Sequence, residues 1–395
     1  MPVRCSFETD LPRLEGRAGA WQALAEQALE PNPFFEPWFL LPALRHLPEV
    51  GLGVGAGVLF LEEEDDGTLI GVVPLRLEPL RLGKVGLGKV RLEELRLPLH
   101  RARLLTHDYS FCHIPLVSPD PATATRALVA LLDWCRSRRA PILELDDLYA
   151  EGPVRALLLE EMGRRGLPSF VRATHERAIF FPRADGDADA YLAAAMAPKR
   201  RRDVDRRERQ LQAAGRVECP EAGPAGQHPG DVAPFVRSFL ALEAAGWKGE
   251  ARTAFDSTPA TRAFFVESVT RGHERGRIWF QTVELDGVTI ASLLSFVARE
   301  TSYSWKICYD ERMAKYSPGV YVEVVNLRRL HQRPGIAWMD SGARPDHPMV
   351  NRLWPDRRRI ETRWVATGGV LPSALVRALP MATRLKARLD RARQK

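Results

Sequence analysis

Between Ser302 and Leu330 the apolar period changes from two residues to 3.6, and this switch constrains the fold more than any other stretch of the chain. Ser304 to Tyr309 mixes aromatic and β-branched residues in the alternation of a buried strand, and Asp310-Glu311 ends it. From Val320 onward, Val324, Leu327 and Leu330 fall on one helical face, so the spacing predicts a strand, a tight loop and a helix. Ser317-Pro318-Gly319 opens that helix. Ser317 suits the N-cap, and Pro318 suits the first helical position, where its missing N–H has no partner in any case. Gly319 lets a ligand come close to the backbone. A helix begun this way turns free N–H groups and its positive dipole end toward whatever lies beyond the strand, which makes it a seat for an anion. The same three residues also serve as a plain helix start.

The chain has 395 residues, too many for one ordinary core, and its 45% apolar and 27% charged content is that of a globular protein. A formal charge of +7 favours anionic partners such as CoA, tRNA, sugar nucleotides or a lipid surface, without choosing among them. Five cysteines, Cys5, Cys112, Cys135, Cys219 and Cys308, are scattered and never spaced as C-x-x-C. Neither a disulfide framework nor a zinc site is expected, and a reducing cytoplasm fits best. The first ten residues have no apolar signal core, and no apolar run is long enough to span a bilayer. No Walker loop, Gly-x-Ser-x-Gly or metal-ligand spacing occurs, so no metal is expected.

Two stretches repeat. Val58–Leu61, Asp66-Gly67 and Leu69–Val73 read as a β-hairpin, and so do Ile278–Gln281, Asp286-Gly287 and Thr289–Leu293, with the two Asp-Gly turns 220 positions apart. We read this as an internal duplication of one αβ unit. The first copy carries Ser118-Pro119-Asp120 where the second carries Ser-Pro-Gly. A carboxylate there repels a phosphate, so the first copy is expected to lack a donor site. Between the copies, Asp189 to Gly215 is helical by composition. Its segment Lys199–Arg209 holds seven basic and three acidic residues, a net +4. Asp203 is spaced to pair with Arg206 or Arg207, which makes this either a self-paired solvated helix or a phosphate-binding ridge.

Four segments occur in order: Leu242–Gly249, Trp305–Glu311, Tyr316–Gly319 and Trp338–Gly342. Together they resemble the GNAT-fold acyltransferases of the CelD type, named for a cellulose-biosynthesis protein, which are similar in turn to the FemAB peptidyltransferases. The likeness is strongest from about Gly246 to Trp354; Asn32-Pro33-Phe34 and His107-Asp108-Tyr109 are its echoes in the first half. The resemblance implies tandem GNAT-like domains with mixed central sheets flanked by helices. It assigns the pyrophosphate of acetyl-CoA or another acyl-CoA to Tyr316, Ser317, Pro318, Gly319 and Val320. The loop has fewer glycines than the usual GNAT phosphate loop, and FemAB proteins take their acyl group from aminoacyl-tRNA instead.

The domains expected are 1–175, an N-terminal GNAT-like domain; 176–372, the acyltransferase domain including the basic helix 189–215; and 373–395, a basic amphipathic tail able to touch an anionic membrane. An acceptor cleft is expected between the two copies. Glu243 lies in the last turn of a helix capped by Asp231 and striped by Val232, Phe235, Phe239 and Leu242. Partial burial and the dipole there push a carboxylate pKa upward, as a general base requires. Lys306 sits mid-strand in phase with Asp310, either orienting the acyl carbonyl while Asp310 fixes it, or forming a structural ion pair. Asp340 ends the neighbouring strand, where ligands collect in open αβ sheets, so Asp340, Asp310 and Ser317 are expected to converge. Glu243, Lys306, Asp310 and Asp340 are thus the candidate catalytic residues, and Trp247, Lys248, Trp305, His107 and Asp108 the candidate acceptor-binding residues. Arg352 stands where the family has a lysine, and His347 is a spare acid or base. The function expected is acyl transfer to an amine or hydroxyl on a small molecule or glycan or cell-envelope precursor. Aminoacyl transfer from tRNA and a non-catalytic accessory role in an exopolysaccharide system are the alternatives.

Overall fold

A computed structural model describes residues 2–53, 55–82, 86–87, 90–91, 95–223, 231–370, 372–378 and 380, with the side chains of 80–99 excepted. The chain begins with β1 (Val3–Glu8), α1 (Leu11–Gly16), α2 (Ala18–Gln27), α3 (Pro37–His46), β2 (Ala56–Glu63) and β3 (Leu69–Leu82). It continues through β4 (Gly86–Leu87), β5 (Val90–Arg91), β6 (Leu95–Leu104), β7 (Leu116–Val117), α4 (Pro121–Ser137), β8 (Ile142–Tyr149), α5 (Pro153–Arg164) and β9 (Ser169–Phe180). Next come α6 (Ala188–Ala195), α7 (Pro198–Ala214), β10 (Val217–Glu218), β11 (Glu221–Ala222), α8 (Ala233–Ala244), α9 (Trp247–Glu250) and α10 (Pro259–Glu274). The last elements are β12 (Ile278–Leu285), β13 (Val288–Ala298), β14 (Thr301–Tyr309), α11 (Pro318–His331), β15 (Trp338–Asp340) and β16 (Asp356–Ala366).

These elements form two units, the first from residues 1–37, 52–175 and 359–395, the second from 38–51 and 176–358. One junction falls between residues 175 and 176, and 38–51 and 359–372 go to the opposite units from those expected. The reasons are local. In the second unit, Trp38 and Phe39 of α3 pack edge-on against Phe296 at ring separations of 5.0 and 5.3 Å. In the first, β16 pairs antiparallel with β8, Ile360 opposite Tyr149 and Ala366 opposite Ile142. The expected tail 373–395 lies mostly outside the described residues; within them, Val376 is buried against Ile142 and Ala366 of the first unit.

Each unit contains the same circuit. In the first, β2, β3 and β6 form an antiparallel run, and α4 then carries the chain to β8, parallel to β6. In the second, β12, β13 and β14 repeat the run and α11 leads to β15, parallel to β14. The fold is therefore mixed α/β and tandem GNAT-like. The second hairpin turns on Asp286 (φ 50°) and Gly287 (φ 78°), both left-handed, the geometry an Asp-Gly pair favours.

In the second unit, strand alternation splits the core into two layers. Val283, Leu293 and Ile290 pack with Leu211 of α7 and Tyr321 and Val322 of α11. On the opposite face, an aromatic cluster joins Phe296 and Trp305 to Phe239, Phe255, Phe264 and Phe265. Trp305 is the extra residue of a β-bulge, since Leu294 pairs with Lys306 but Ser295 with Ser304. Its ring stacks on Phe265 at 5.8 Å and lies 4.5 Å from Phe296. Replacing a buried aromatic by alanine costs about 3–5 kcal/mol. Trp305→Ala is expected to lower the unfolding free energy in urea by that amount, whereas Trp247→Ala, at a side chain 57% exposed, is expected to change it by under about 0.5 kcal/mol.

A buried polar network fixes α11 on its sheet. Glu323 Oε1 accepts from Trp354 Nε1 (3.0 Å) and Asn326 Nδ2 (3.1 Å), and Gln281 Nε2 donates to Asn326 Oδ1 (2.7 Å). Burial raises the Glu323 carboxyl from 4.5 to about 7, with the two hydrogen bonds opposing it. A raised folded-state value means the stabilisation is complete below about pH 4.5 and is lost as the pH climbs through about 7. The wild type is expected to lose on the order of 3 kcal/mol relative to Glu323→Gln between pH 4 and 8, as measured by urea unfolding across that range.

Candidate functional site

Beyond Tyr303, β14 has no partner in β15, because their ladder pairs only Thr301–Tyr303 with Trp338–Asp340. The strand runs on to Tyr309, a short 3₁₀ turn (Glu311–Tyr316) follows, and α11 returns. Ser317 joins the two helices in the left-handed region (φ 54°, ψ 53°), a strained conformation for a residue with a side chain. It is held there from three sides. Its N–H donates to the Ala314 carbonyl (3.0 Å), its own carbonyl accepts from Val320 (2.9 Å) and Tyr321 (3.1 Å), and Arg207 donates to its Oγ. Ser317 is therefore at the N-cap position, as the sequence predicts, but its hydroxyl does not cap. Among the described residues no side chain caps α11.

That helix start adjoins a cavity of about 250 Å³. Tyr316, Ser317, Val320 and Tyr321 form one wall; Arg200, Asp203, Val204, Arg207 and Glu208 of α7 form another; Arg352 completes the rim. Of the five predicted donor residues, Tyr316, Ser317 and Val320 thus line the cavity. Pro318 and Gly319 are buried, and Gly319 lies so close to the Tyr309 ring that a Cβ would come within 3.0 Å.

α7 is self-paired along one edge and lines the cavity along another. Arg206 and Arg207 pair with Asp203 at 2.5 and 2.9 Å, as an i,i+3 and an i,i+4 pair, while the edge carrying Arg200 and Arg207 faces the cavity. Lys199, Arg202, Arg206 and Arg209 are exposed. The buried Nε of Arg200 has no hydrogen-bond partner. Burial, and the like charge of Arg352, depress the Arg200 pKa, and Asp203 offsets this in part.

The predicted catalytic residues do not gather in one place. Glu243 is buried, its Oε1 accepting from Lys248 Nζ (2.8 Å) and its Oε2 from the Phe255 N–H (2.8 Å). The turn of α8 that carries it faces the core beside Leu240 and Phe239, and both oxygens are spoken for. Lys248 also donates to the Ile307 carbonyl (3.2 Å), which ties α9 to β14. A recess of about 30 Å³ beside them is lined by Gly246, Trp247, Cys308, Tyr309 and Glu311. The Trp247 N–H donates to Glu311 Oε1 (2.9 Å), and its ring is exposed. Lys306 is half-buried, with Nζ 5.4 Å from the Phe255 ring and 5.8 Å from that of Trp305, within cation–π range.

Asp310 departs from the expected pairing with Lys306. It forks onto Arg312 (2.8 Å between Nη2 and Oδ2) and caps the 3₁₀ turn, and these bonds hold its carboxyl below the usual carboxylate range. Nor does Asp340 converge with Asp310 and Ser317. It lies opposite Tyr303, seven residues before Asp310 and about 23 Å at strand rise. Fully buried, it faces Arg177 at 3.5 Å and accepts from the Gly342 N–H (2.8 Å). Trp305 is core rather than cleft wall. Burial lowers the His347 pKa, and its Nδ1 accepts from the Val350 N–H (3.2 Å). His107 and Asp108 belong to the first unit, where His107 is buried and accepts at Nδ1 from the Tyr109 N–H (3.4 Å). Sequence spacing missed Tyr321 as a cavity residue, whereas Arg200 and Arg207 belong to the basic segment singled out in the sequence.

In the first unit the equivalent helix start is closed. Asp120 caps α4, its Oδ2 accepting from the Thr123 N–H (2.8 Å) and Oγ1 (2.7 Å). These bonds lower its pKa, so it stays charged.

Residues 198–347 match the model of the acetyltransferase (GNAT) domain, so the second unit carries a GNAT N-acyltransferase domain. No protein of curated function matches the sequence. Among solved structures, the chain is similar to FemX (13% identity, 88% of this chain and 95% of that one, TM-score 0.55). It is also similar to the C-terminal domain of a putative lysylphosphatidylglycerol synthetase from Agrobacterium fabrum (12%, 94% and 96%, 0.53). A Bacteroides thetaiotaomicron protein of unknown function matches comparably (9%, 92% and 99%, 0.53). At these identities the likeness is one of fold.

Removing one partner of a buried ion pair typically costs 3–5 kcal/mol. Lys248→Met is expected to lower stability by about 3 kcal/mol. Chemical denaturation checks this, and Glu243→Gln in the Lys248→Met background should recover part of the loss.

Proposed function

We propose that the second unit transfers an acyl group from acyl-CoA to an amine or hydroxyl acceptor, and that the α11 cavity holds the phosphates of the donor. One observation carries this reading: among the described residues no side chain caps the helix start next to the cavity, and arginines from α7 line the facing wall. The positive end of the α11 dipole and the guanidiniums together suit a pyrophosphate. In the transfer, the acceptor nitrogen or oxygen bonds to the thioester carbonyl carbon, the carbon–sulfur bond breaks, and the thiol leaves with the acceptor's proton. Lys306 and Lys248 are the cations proposed to orient the reacting groups. Glu243 acts through Lys248, Asp310 sets the turn before α11, and Asp340 anchors β15. The CelD-type resemblance points to a glycan or cell-envelope acceptor.

Aminoacyl transfer from tRNA is the second reading. The FemX-like fold over most of the chain and the exposed outer arginines of α7 favour it, and the name of the Agrobacterium relative denotes lysyl transfer to a phospholipid. Incubation with acetyl-CoA or with charged tRNA, following which is consumed, separates the two. Ser317→Asp would place a carboxylate beside the α11 start. Calorimetry is expected to show acetyl-CoA binding to the wild type and about 10–100-fold weaker binding to the variant. Equal affinity would remove the helix start from the donor site.

A further inference from the structure

The charges around the α11 cavity are unequally matched. Asp203 is bound by Arg206 and Arg207, and Glu208 by Arg328 at 3.1 Å. Arg207 spends its guanidinium on Asp203, the Ser317 hydroxyl and the Lys315 carbonyl (3.4 Å). Arg200 and Arg352 remain. Neither has an ion pair or a side-chain hydrogen bond among the described residues, and the Arg200 Nε is shielded from water without a partner. They come from separate elements, the first turn of α7 and the 3₁₀ turn Val350–Arg352, yet meet on one rim.

Two like guanidiniums brought together and left unmatched call for an anion with more than one acceptor oxygen. A residue retained only for solubility needs no such approach, and a structural arginine would have found a carboxylate, as Arg328 and Arg207 have done.

We propose that Arg200 and Arg352 together bind a second phosphate of the acyl donor, separate from the one taken at the α11 start. This rests on the donor reading above. For a CoA donor the group is the 3′-phosphate monoester, the phosphate that stands apart from the pyrophosphate. For a tRNA donor it is a backbone phosphate.

Calorimetry with CoA and 3′-dephospho-CoA tests the pair on the full chain, on Arg200→Gln, on Arg352→Gln and on the double variant. The wild type is expected to bind CoA about tenfold or more tightly than dephospho-CoA, and the double variant to bind both alike. Each single variant should lose part of the difference. Ligand-free Arg352→Gln is expected to melt at or slightly above the wild-type temperature, because it relieves repulsion; a clear drop would mark Arg352 as a structural residue and overturn the proposal. Equal binding of CoA and dephospho-CoA by the wild type also overturns it, while leaving the acyl-CoA reading intact. If the wild type binds neither, the acyl-CoA reading fails, and uncharged tRNA decides. A salt dependence of tRNA binding that falls by about 0.7–0.9 in log–log slope in the double variant supports the pair as a phosphate site, and an unchanged slope overturns it.

Discussion

The brevity of the β14–β15 ladder governs the second unit. A parallel pair that continued to Tyr309 would satisfy the β14 backbone and leave no gap for α11 to face. Instead Asp340 folds onto the Gly342 amide and the chain leaves the sheet, so the last six residues of β14 proceed without that neighbour. The bulge at Trp305 falls in this same stretch. It turns a large ring into the aromatic layer and puts Lys306, next in line, beside that layer's edge. Packing of the core and placement of a cation are thus settled by one irregularity.

The strained link at Ser317 follows from the same geometry. A short 3₁₀ turn must reverse the chain into a helix packed on the sheet it has just left, and one residue absorbs the change of direction. Arg207 stabilises that residue from α7, which couples the basic helix to the helix start. The basic segment between the two hairpins is therefore part of the acyltransferase unit, in keeping with the GNAT match that opens at residue 198.

Much of this was legible in the sequence. The period change after Asp310 marks β14 and α11, and the paired Asp-Gly turns mark the duplication, because both signals are local and set by backbone geometry. Asp120 was legible as a negative charge at the α4 start, but its capping bonds to Thr123 were not read from the sequence. What escaped was long-range. Glu243 reads as a candidate base because its helix can be drawn, but its oxygens are claimed by Lys248 and the Phe255 amide, the latter twelve residues on, in a segment with no periodic signature. The separation of Asp340 from Asp310 depends on strand register, which one chain's pattern does not fix when a strand has three residues. Trp305 was misplaced because alternation assumes a regular ladder, and a bulge resets the parity of everything after it.

The two helix starts carry a consequence for how the halves diverge. On the proposed donor reading, the carboxylate at the α4 start frees that helix start from holding a phosphate, while the strands around it must still satisfy the pleat and the core. Drift at the α4 start is then limited by shape, and at the α11 start by shape and charge together. Across relatives of this chain, the amino-terminal half should accumulate exchanges of charged residues near α4 much faster than the carboxy-terminal half does near α7 and α11.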